Sequence, residues 1–504
     1  METEMLRETG QCRKCIWEGT LTGGDSAEMI VPDTQQDIRE ILCVQGEAFL
    51  RSKETPEGML RMGGAVRATV LCRAEGDGGF FRMEAEIPVN AETECPGADF
   101  GCSLTASVHL VACEGKLIHS RKVLVRAEVL FCAVCRKEEE LPLRLTPGEG
   151  CPAELRLEKK EILTAEGVSE RSFVISEELE LPENAPAEEI YFSETRLEQE
   201  EEKLAGTRLI LKGTAYSTLV YATAEGQSPV TKTFSTPFTQ IVELDIRTAS
   251  QTETVLQLTG AYYTPEPSLS PGERTVRMEL HITAQCTALE KKTLEYVTDA
   301  YLPGIPTEVV TEPFRTAGAR EKETRLVHTE GKLSVMETYR ELIYARVLPG
   351  KPEPMEENGE HYSVAVLNAW CLYLDAEGEV KSTSCKLTLR EKTGSSEPDP
   401  ASVCIPGEVK VTGGAEIRAG CALMLSQQEK TEETAVKAIR WKEEEKPDVS
   451  LLPSVLLRRR GSEDDLWTMA KECASTIRLI LEANGAEDEA SLLPGQMILI
   501  PRGI

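Results

Sequence analysis

Histidine is scarce in this chain, and aromatic residues are few. Five histidines occur among 504 residues, and Phe, Trp and Tyr together make up 5%. So few aromatics leave little material for a sugar-stacking cleft or for a platform that binds single-stranded nucleic acid. No apolar run approaches the roughly 18 residues that cross a bilayer as a helix. The opening Met1–Glu8 is polar and has no apolar h-region, so the expectation is an unexported, cytosolic protein with no membrane insertion. Basic residues number 56 against 85 acidic ones, a net charge of −29. Such a surface repels phosphate backbones and anionic lipid, so no nucleic-acid partner is expected. The catalytic signatures Gly-x-x-x-x-Gly-Lys-Ser/Thr, His-Glu-x-x-His and Gly-x-Ser-x-Gly do not occur. No catalytic residue and no cofactor is therefore assigned.

What is present is enough apolar material, 40%, for packed cores. At about 100–200 residues per domain, the length predicts three or four domains. The sixteen cysteines are scattered, ten of them within the first 151 residues. Without an export signal they read as reduced, mostly buried thiols. Two CxxC pairs, Cys12/Cys15 and Cys132/Cys135, supply four thiols that zinc could use if the fold joined them. The second pair ends an alternating, strand-like run, Val123–Cys132, and the reading chosen is structural thiols with no metal. His109 and His281 also fall in strand-like runs and read as structural imidazoles. The acidic runs Glu138–Glu140 and Glu200–Glu202 read as solvated faces. Gly76-Asp77-Gly78-Gly79 opens no helix and reads as a turn.

Self-comparison is more informative. Three β-rich stretches, Gly64–Gly76, Gly213–Gly226 and Val364–Gly378, each end in Ala-Glu-Gly, with the turn glycines 150 and 152 residues apart. Each turn is followed by an alternating strand, expected at Phe81–Val89, Val230–Leu244 and Val380–Leu389. Each unit closes on a further strand, Arg121–Phe131, Arg274–Cys286 and Ala435–Trp441. Leu157-Glu158-Lys159-Lys160 recurs as Leu289-Glu290-Lys291-Lys292 and is read as the head of the second and third units. The predicted fold is mainly β: about three antiparallel sandwich or open-barrel-like domains at 1–145, 146–290 and 291–448, with a small βααβ domain at 449–504. Leu141–Gly150 and Glu443–Asp448 are expected as linkers, and Thr393–Ser402 as a loop inside the third domain.

After Asp448 the periodicity changes. Ser454–Arg459 suits a strand. Asp464 or Asp465 suits the N-cap of a helix with Leu466, Ala470 and Cys473 on one face. Thr476 suits the cap of a second helix with Ile477, Ile480 and Leu481 inward. Asn484-Gly485 suits its stop, and Met497–Ile500 a closing strand. The landmarks Asp465-Leu466-Trp467-x-x-Ala470-Lys471, Asn484 and Pro494-Gly495-Gln496-x-x-x-Ile500-Pro501 resemble a LysM domain. The resemblance implies a core of Leu466, Trp467, Ala470, Ile477, Ile480 and Ile500. It also implies a groove between the loops 461–465 and 484–495, where Glu463, Asp464, Asp465, Asn484, Leu492, Leu493 and Pro494 would contact a ligand or partner. LysM domains commonly bind glycans containing N-acetylglucosamine, such as peptidoglycan. Here Glu463-Asp464-Asp465 stands where the family has Gly-Asp-Thr, adding charge where close backbone approach would be wanted. Helix capping is an equal account of those acids, and a C-cap the simpler account of Asn484.

Val31–Leu42, Leu181–Ile190 and Ser235–Leu244 resemble segments of the SPOCS family (formerly DUF3794). SPOCS repeats followed by LysM is the layout of the SipL-like spore-coat morphogenetic proteins of spore-forming clostridia. That resemblance implies a non-enzymatic adaptor in the mother-cell cytosol, at the forespore surface. Its partners would be a SpoIVA-like coat ATPase and other spore coat proteins. Peptidoglycan binding on cortex or wall is the alternative.

Overall fold

Alternation builds almost every element of the body. In the stretch Phe80–Glu94, Phe81, Met83, Ile87 and Val89 point inward while Arg82, Glu84, Glu86 and Glu92 point to solvent. That period of two gives a sheet with one buried face. The computed structural model describes residues 2–76, 79–148, 151–182, 187–223, 228–246, 249–267, 274–315, 319–333, 339–412, 415–427, 432–442, 453–462 and 464–503. The molecule is mainly β, with several separate sheets and two short helices near its C-terminal end.

One strand plan recurs three times. The first unit holds β1 (Glu2–Ile30), β2 (Ile38–Glu54), β3 (Met59–Ala74), β4 (Phe80–Glu94), β5 (Ser103–His119) and β6 (Lys122–Pro147). Its sheets are β1-β6-β5 and β2-β3-β4, with a core between them that includes Leu60, Val66, Ile87, Val125 and Phe131. The second unit holds β7 (Glu154–Glu180), β8 (Ala187–Ala205), β9 (Arg208–Thr223), β10 (Val230–Glu243), β11 (Gln251–Pro267) and β12 (Arg274–Tyr301), paired as β7-β12-β11 and β8-β9-β10. In the third unit the outer strands are broken. It holds β13 (Thr307–Arg315), β14 (Lys322–Lys332), β15 (Tyr339–Val347), β16 (Glu353–Glu357), β17 (Glu360–Asp375), β18 (Val380–Lys392), β19 (Glu397–Pro398), β20 (Ile405–Thr412), β21 (Glu416–Ser426) and β22 (Glu432–Trp441). β13 pairs with β22, β14-β21-β20 forms one sheet, and β15-β17-β18 forms the other.

Several expectations change in position. Leu289–Lys292 does not head the third unit. It lies inside β12, where Glu290 pairs with Thr164 and Lys292 with Ile162 of β7. The expected boundary at 290 thus falls within an unbroken strand. Most of Leu141–Gly150 is strand as well: β6 continues to Pro147, and Pro142 is tolerated beside a register shift opposite Glu8 and Thr9. Gly76 and Gly378 take φ +83°, the left-handed turn conformation expected of them, whereas Gly226 and the acidic stretch 443–448 lie outside the described residues.

The second strand of each unit carries a β-bulge at the same repeat position: Leu42, Tyr191 and Ile343. A bulge lets two neighbouring side chains turn to one side. Leu42 with Cys43, Tyr191 with Phe192, and Ile343 with Tyr344 accordingly meet in one core shared by all three units, joined by Leu71, Val220 and Leu372. Phe192 and Tyr344 pack edge to face with centroids 5.3 Å apart, and Tyr344 lies 5.2 Å from Trp370.

Beside this apolar junction lies a polar one, built on equivalent positions that hold different residues. Gln45 donates to the Ser193 carbonyl at 3.3 Å, and Arg346 pairs with Glu194 at 3.0 Å while donating to the Gly46 carbonyl at 2.7 Å. The outer strands of the three units run together into one eight-stranded sheet, β11-β12-β6-β1-β22-β13, with β5 also paired to β6 and β7 to β12. All its pairings are antiparallel except a short parallel contact of Glu295 and Tyr296 with Arg144 and Leu145.

Candidate functional site

The C-terminal module is β23 (Val455–Arg459), α1 (Leu466–Glu472), α2 (Ile477–Asn484), a single 3-10 turn at Glu489–Ser491, and β24 (Met497–Pro501). Each helix has a side-chain cap. Asp465 accepts from the Thr468 amide at 2.8 Å, and Thr476 accepts from the Leu479 amide at 3.2 Å. Gly485 ends α2 in the left-handed region at φ 62°. Leu466, Met469, Ala470, Ile480, Ile498 and Ile500 form the core, with Ile477 at its margin.

Trp467 also belongs to this core, but its ring reaches out of the module. Its indole N–H donates to Asp299 Oδ2 at 2.8 Å, and the ring packs edge to face on Tyr301 at 4.9 Å. Both residues lie at the end of β12. Lys471 completes the clamp on Asp299 at 2.7 and 2.8 Å, Tyr301 donates to the Ser475 carbonyl at 2.9 Å, and Arg156 of β7 reaches Asp465 at 3.1 Å. Burial alone would raise the Asp299 carboxyl. The Lys471 and Trp467 hydrogen bonds, with the Lys471 charge, outweigh that and hold it below its usual value of 3.8. The module is therefore docked on the body.

The groove residues implied by the LysM resemblance are distributed unevenly. Glu463 lies outside the described residues. Asp464 turns back to accept from the Gly461 amide at 2.9 Å, and Asp465 is the α1 cap. Asn484 bridges within the module, donating to the carbonyls of Ile480 and Leu499 at 2.7 Å and accepting from the Leu499 amide at 2.9 Å. Leu492, expected at the groove, is 2% exposed and sits in the core, because the 3-10 turn folds it inward. Leu493, at 65%, and Pro494 remain exposed.

Arg460, absent from the expected set, lies between the two loops. It donates to the Asp464 carbonyl at 3.2 Å, to the Glu489 carbonyl at 2.9 Å, to the Glu489 carboxylate at 2.6 Å and to the Leu492 carbonyl. Glu489 in turn accepts from the Leu466 amide at 3.0 Å. The loops that would flank a glycan are thus stapled together by an internal ion pair. The only sequence signal was the run Arg458-Arg459-Arg460, in which nothing distinguished the third arginine.

Elsewhere, a concavity of about 640 Å³ opens where the three units meet, lined by residues including Thr105, His109, Glu253, Arg320 and Lys322. Lys322 approaches one carboxylate from each unit: Glu18 at 3.8 Å, Glu253 at 3.5 Å and Asp399 at 3.4 Å. Burial opposes its charge, but the three carboxylates hold its pKa above the usual value. Burial lowers His109 to about 4, and its ring meets the Ser107 hydroxyl at 2.9 Å.

Among the described residues, no group of three or more His, Cys, Asp or Glu side chains is placed to hold a metal ion. Both CxxC pairs lie in strands, β1 and β6, where residues i and i+3 face opposite sides. Cys135 belongs to the first unit's core, whereas Cys132 packs with Leu130 and Val403. Among the described residues, no helix is long and apolar enough to cross a membrane. Comparison with known protein families, with curated proteins and with solved structures found no match.

Proposed function

We propose that this chain is a non-enzymatic adaptor of endospore coat assembly. In this reading three SPOCS-like β-units form its scaffold, and the C-terminal LysM-like module docks a SpoIVA-like coat ATPase at the forespore surface, in the mother-cell cytosol. The observation that carries the reading is Arg460 stapled across the loops of the module. A glycan would have to displace an arginine, its Glu489 partner and three engaged carbonyls before it reached the backbone. Such half-buried, mutually satisfied polar groups cost several hydrogen bonds to separate. The clamp on Asp299 adds support, because a module held at a set orientation on a large body suits assembly between proteins. The test is to immobilise the full chain and present a purified coat ATPase and purified muropeptides in parallel. The adaptor reading expects saturable capture of the ATPase and none of the muropeptides. Muropeptide capture alone would establish the glycan-binding alternative instead.

A further inference from the structure

The two-stranded sheet of the module has one edge closed and one edge open. Leu499 turns both its backbone groups away from β23, and Asn484 takes them both. In an antiparallel ladder, directly opposed residues share this orientation. Leu457 stands opposite Leu499, Arg459 opposite Met497 and Val455 opposite Pro501. The N–H and C=O groups of Val455, Leu457 and Arg459 therefore point out along the far edge of β23. Among the described residues, no other strand pairs there.

The side chains on that face are apolar and exposed: Val455 48%, Leu457 59%, Met497 49% and Leu499 42%. Arg459 ends the row, also exposed, and no carboxylate pairs with it among the described residues. Unpaired edges with an apolar face are templates for strand addition.

We infer that the outer edge of β23 receives an extended segment of the partner protein as an added strand. Its apolar side chains at alternate positions cover Leu457 and Leu499, and one carboxylate faces Arg459. A second copy of this chain is the less suitable occupant, because two bodies of charge −29 repel each other. This inference rests on the adaptor reading and places its contact on the sheet edge, away from the loops.

The edge can be tested without breaking the ladder. Leu457→Pro removes one outward-pointing N–H, while the bonds between β23 and β24 run through Leu456 and Arg458. Leu457→Thr keeps that N–H, and Leu457→Lys charges the face. With the coat ATPase as probe and the full chain as bait, the Pro and Lys variants should bind at least roughly tenfold more weakly, with Thr close to wild type. Hydrogen exchange at Ile498 and Ile500 reports whether the module stays folded. The same experiment on the complex should show new protection at Val455, Leu457 and Arg459. Wild-type affinity in the Pro variant overturns the inference and leaves the adaptor reading standing, as does protection of those three amides in the free chain. Failure of the wild-type chain to bind the ATPase overturns both.

Discussion

Asp299 receives both Trp467 and Lys471 of the C-terminal module. Its folded pKa is depressed, so its contribution is fully present above the unfolded value of about 3.8 and fades as pH falls through the lower folded value. Docking should thus be constant from neutral pH down to about 5 and weaken progressively as pH falls past about 3.8 and through the lower folded value. Exchange of the Trp467 indole proton follows it directly. Asp299→Asn should reproduce the loss at neutral pH, speeding exchange of the Trp467 indole proton while the core around Ile480 stays protected. Trp467→Phe keeps the ring on Tyr301 but removes a hydrogen bond to a charged acceptor, which typically contributes about 1.5–3 kcal/mol. Lys322 has a different task. Replacing it with Met leaves Glu18, Glu253 and Asp399 facing one another without their common cation, at a cost of about 3 kcal/mol. The midpoint of thermal unfolding should fall accordingly.

Among the elements, the strands show how far a sequence can be read. Alternation around 81–89, 230–244 and 380–389 located β4, β10 and β18, and Gly76 and Gly378 located the turns before β4 and β18. The capping residues Asp465 and Thr476 and the stop at Gly485 located both helices. The bulges at Leu42, Tyr191 and Ile343 were not legible, because a bulge leaves no mark in a run of apolar residues beyond one broken alternation. The great length of β6 and β12 was also hidden. Both run through polar stretches that read otherwise, Glu138–Glu140 as a solvated face and Leu289–Lys292 as the head of the third unit, and there pairing with β1 and β7 keeps them extended. The Arg460 staple was illegible for a related reason: its partners are carbonyls and Glu489, which lies far off in sequence. Gly213 is the clearest element-scale constraint. A Cβ there would collide with the Glu198 carbonyl and the Phe238 ring across both neighbouring strands. Gly213→Ala should destabilise the second unit by about 1–3 kcal/mol, seen as faster exchange in β9 before any change in β3.

At the scale of the whole molecule, three similar units are joined by dissimilar residues. Gln45, Glu194 and Arg346 occupy equivalent places but make different contacts: Arg346 pairs with Glu194 and reaches the Gly46 carbonyl, while Gln45 donates to the Ser193 carbonyl, so each junction between units is chemically distinct. Phe192→Ala removes the ring that touches both Tyr344 and Trp370, and should cost about 3–5 kcal/mol. If the junction couples the units, all three should then melt at a lower common temperature, whereas separable units would give one shifted transition and two unshifted ones. The body holds the C-terminal module through the Asp299 clamp, which supports the proposed adaptor reading beside the Arg460 staple.

The most direct measurement is the position of a fluorescent fusion of the full chain in sporulating cells, beside the same fusion carrying Leu457→Pro. The account predicts a shell around the forespore for the parent and diffuse mother-cell signal for the variant. Fluorescence along the wall of growing cells, unchanged by the variant, would contradict it.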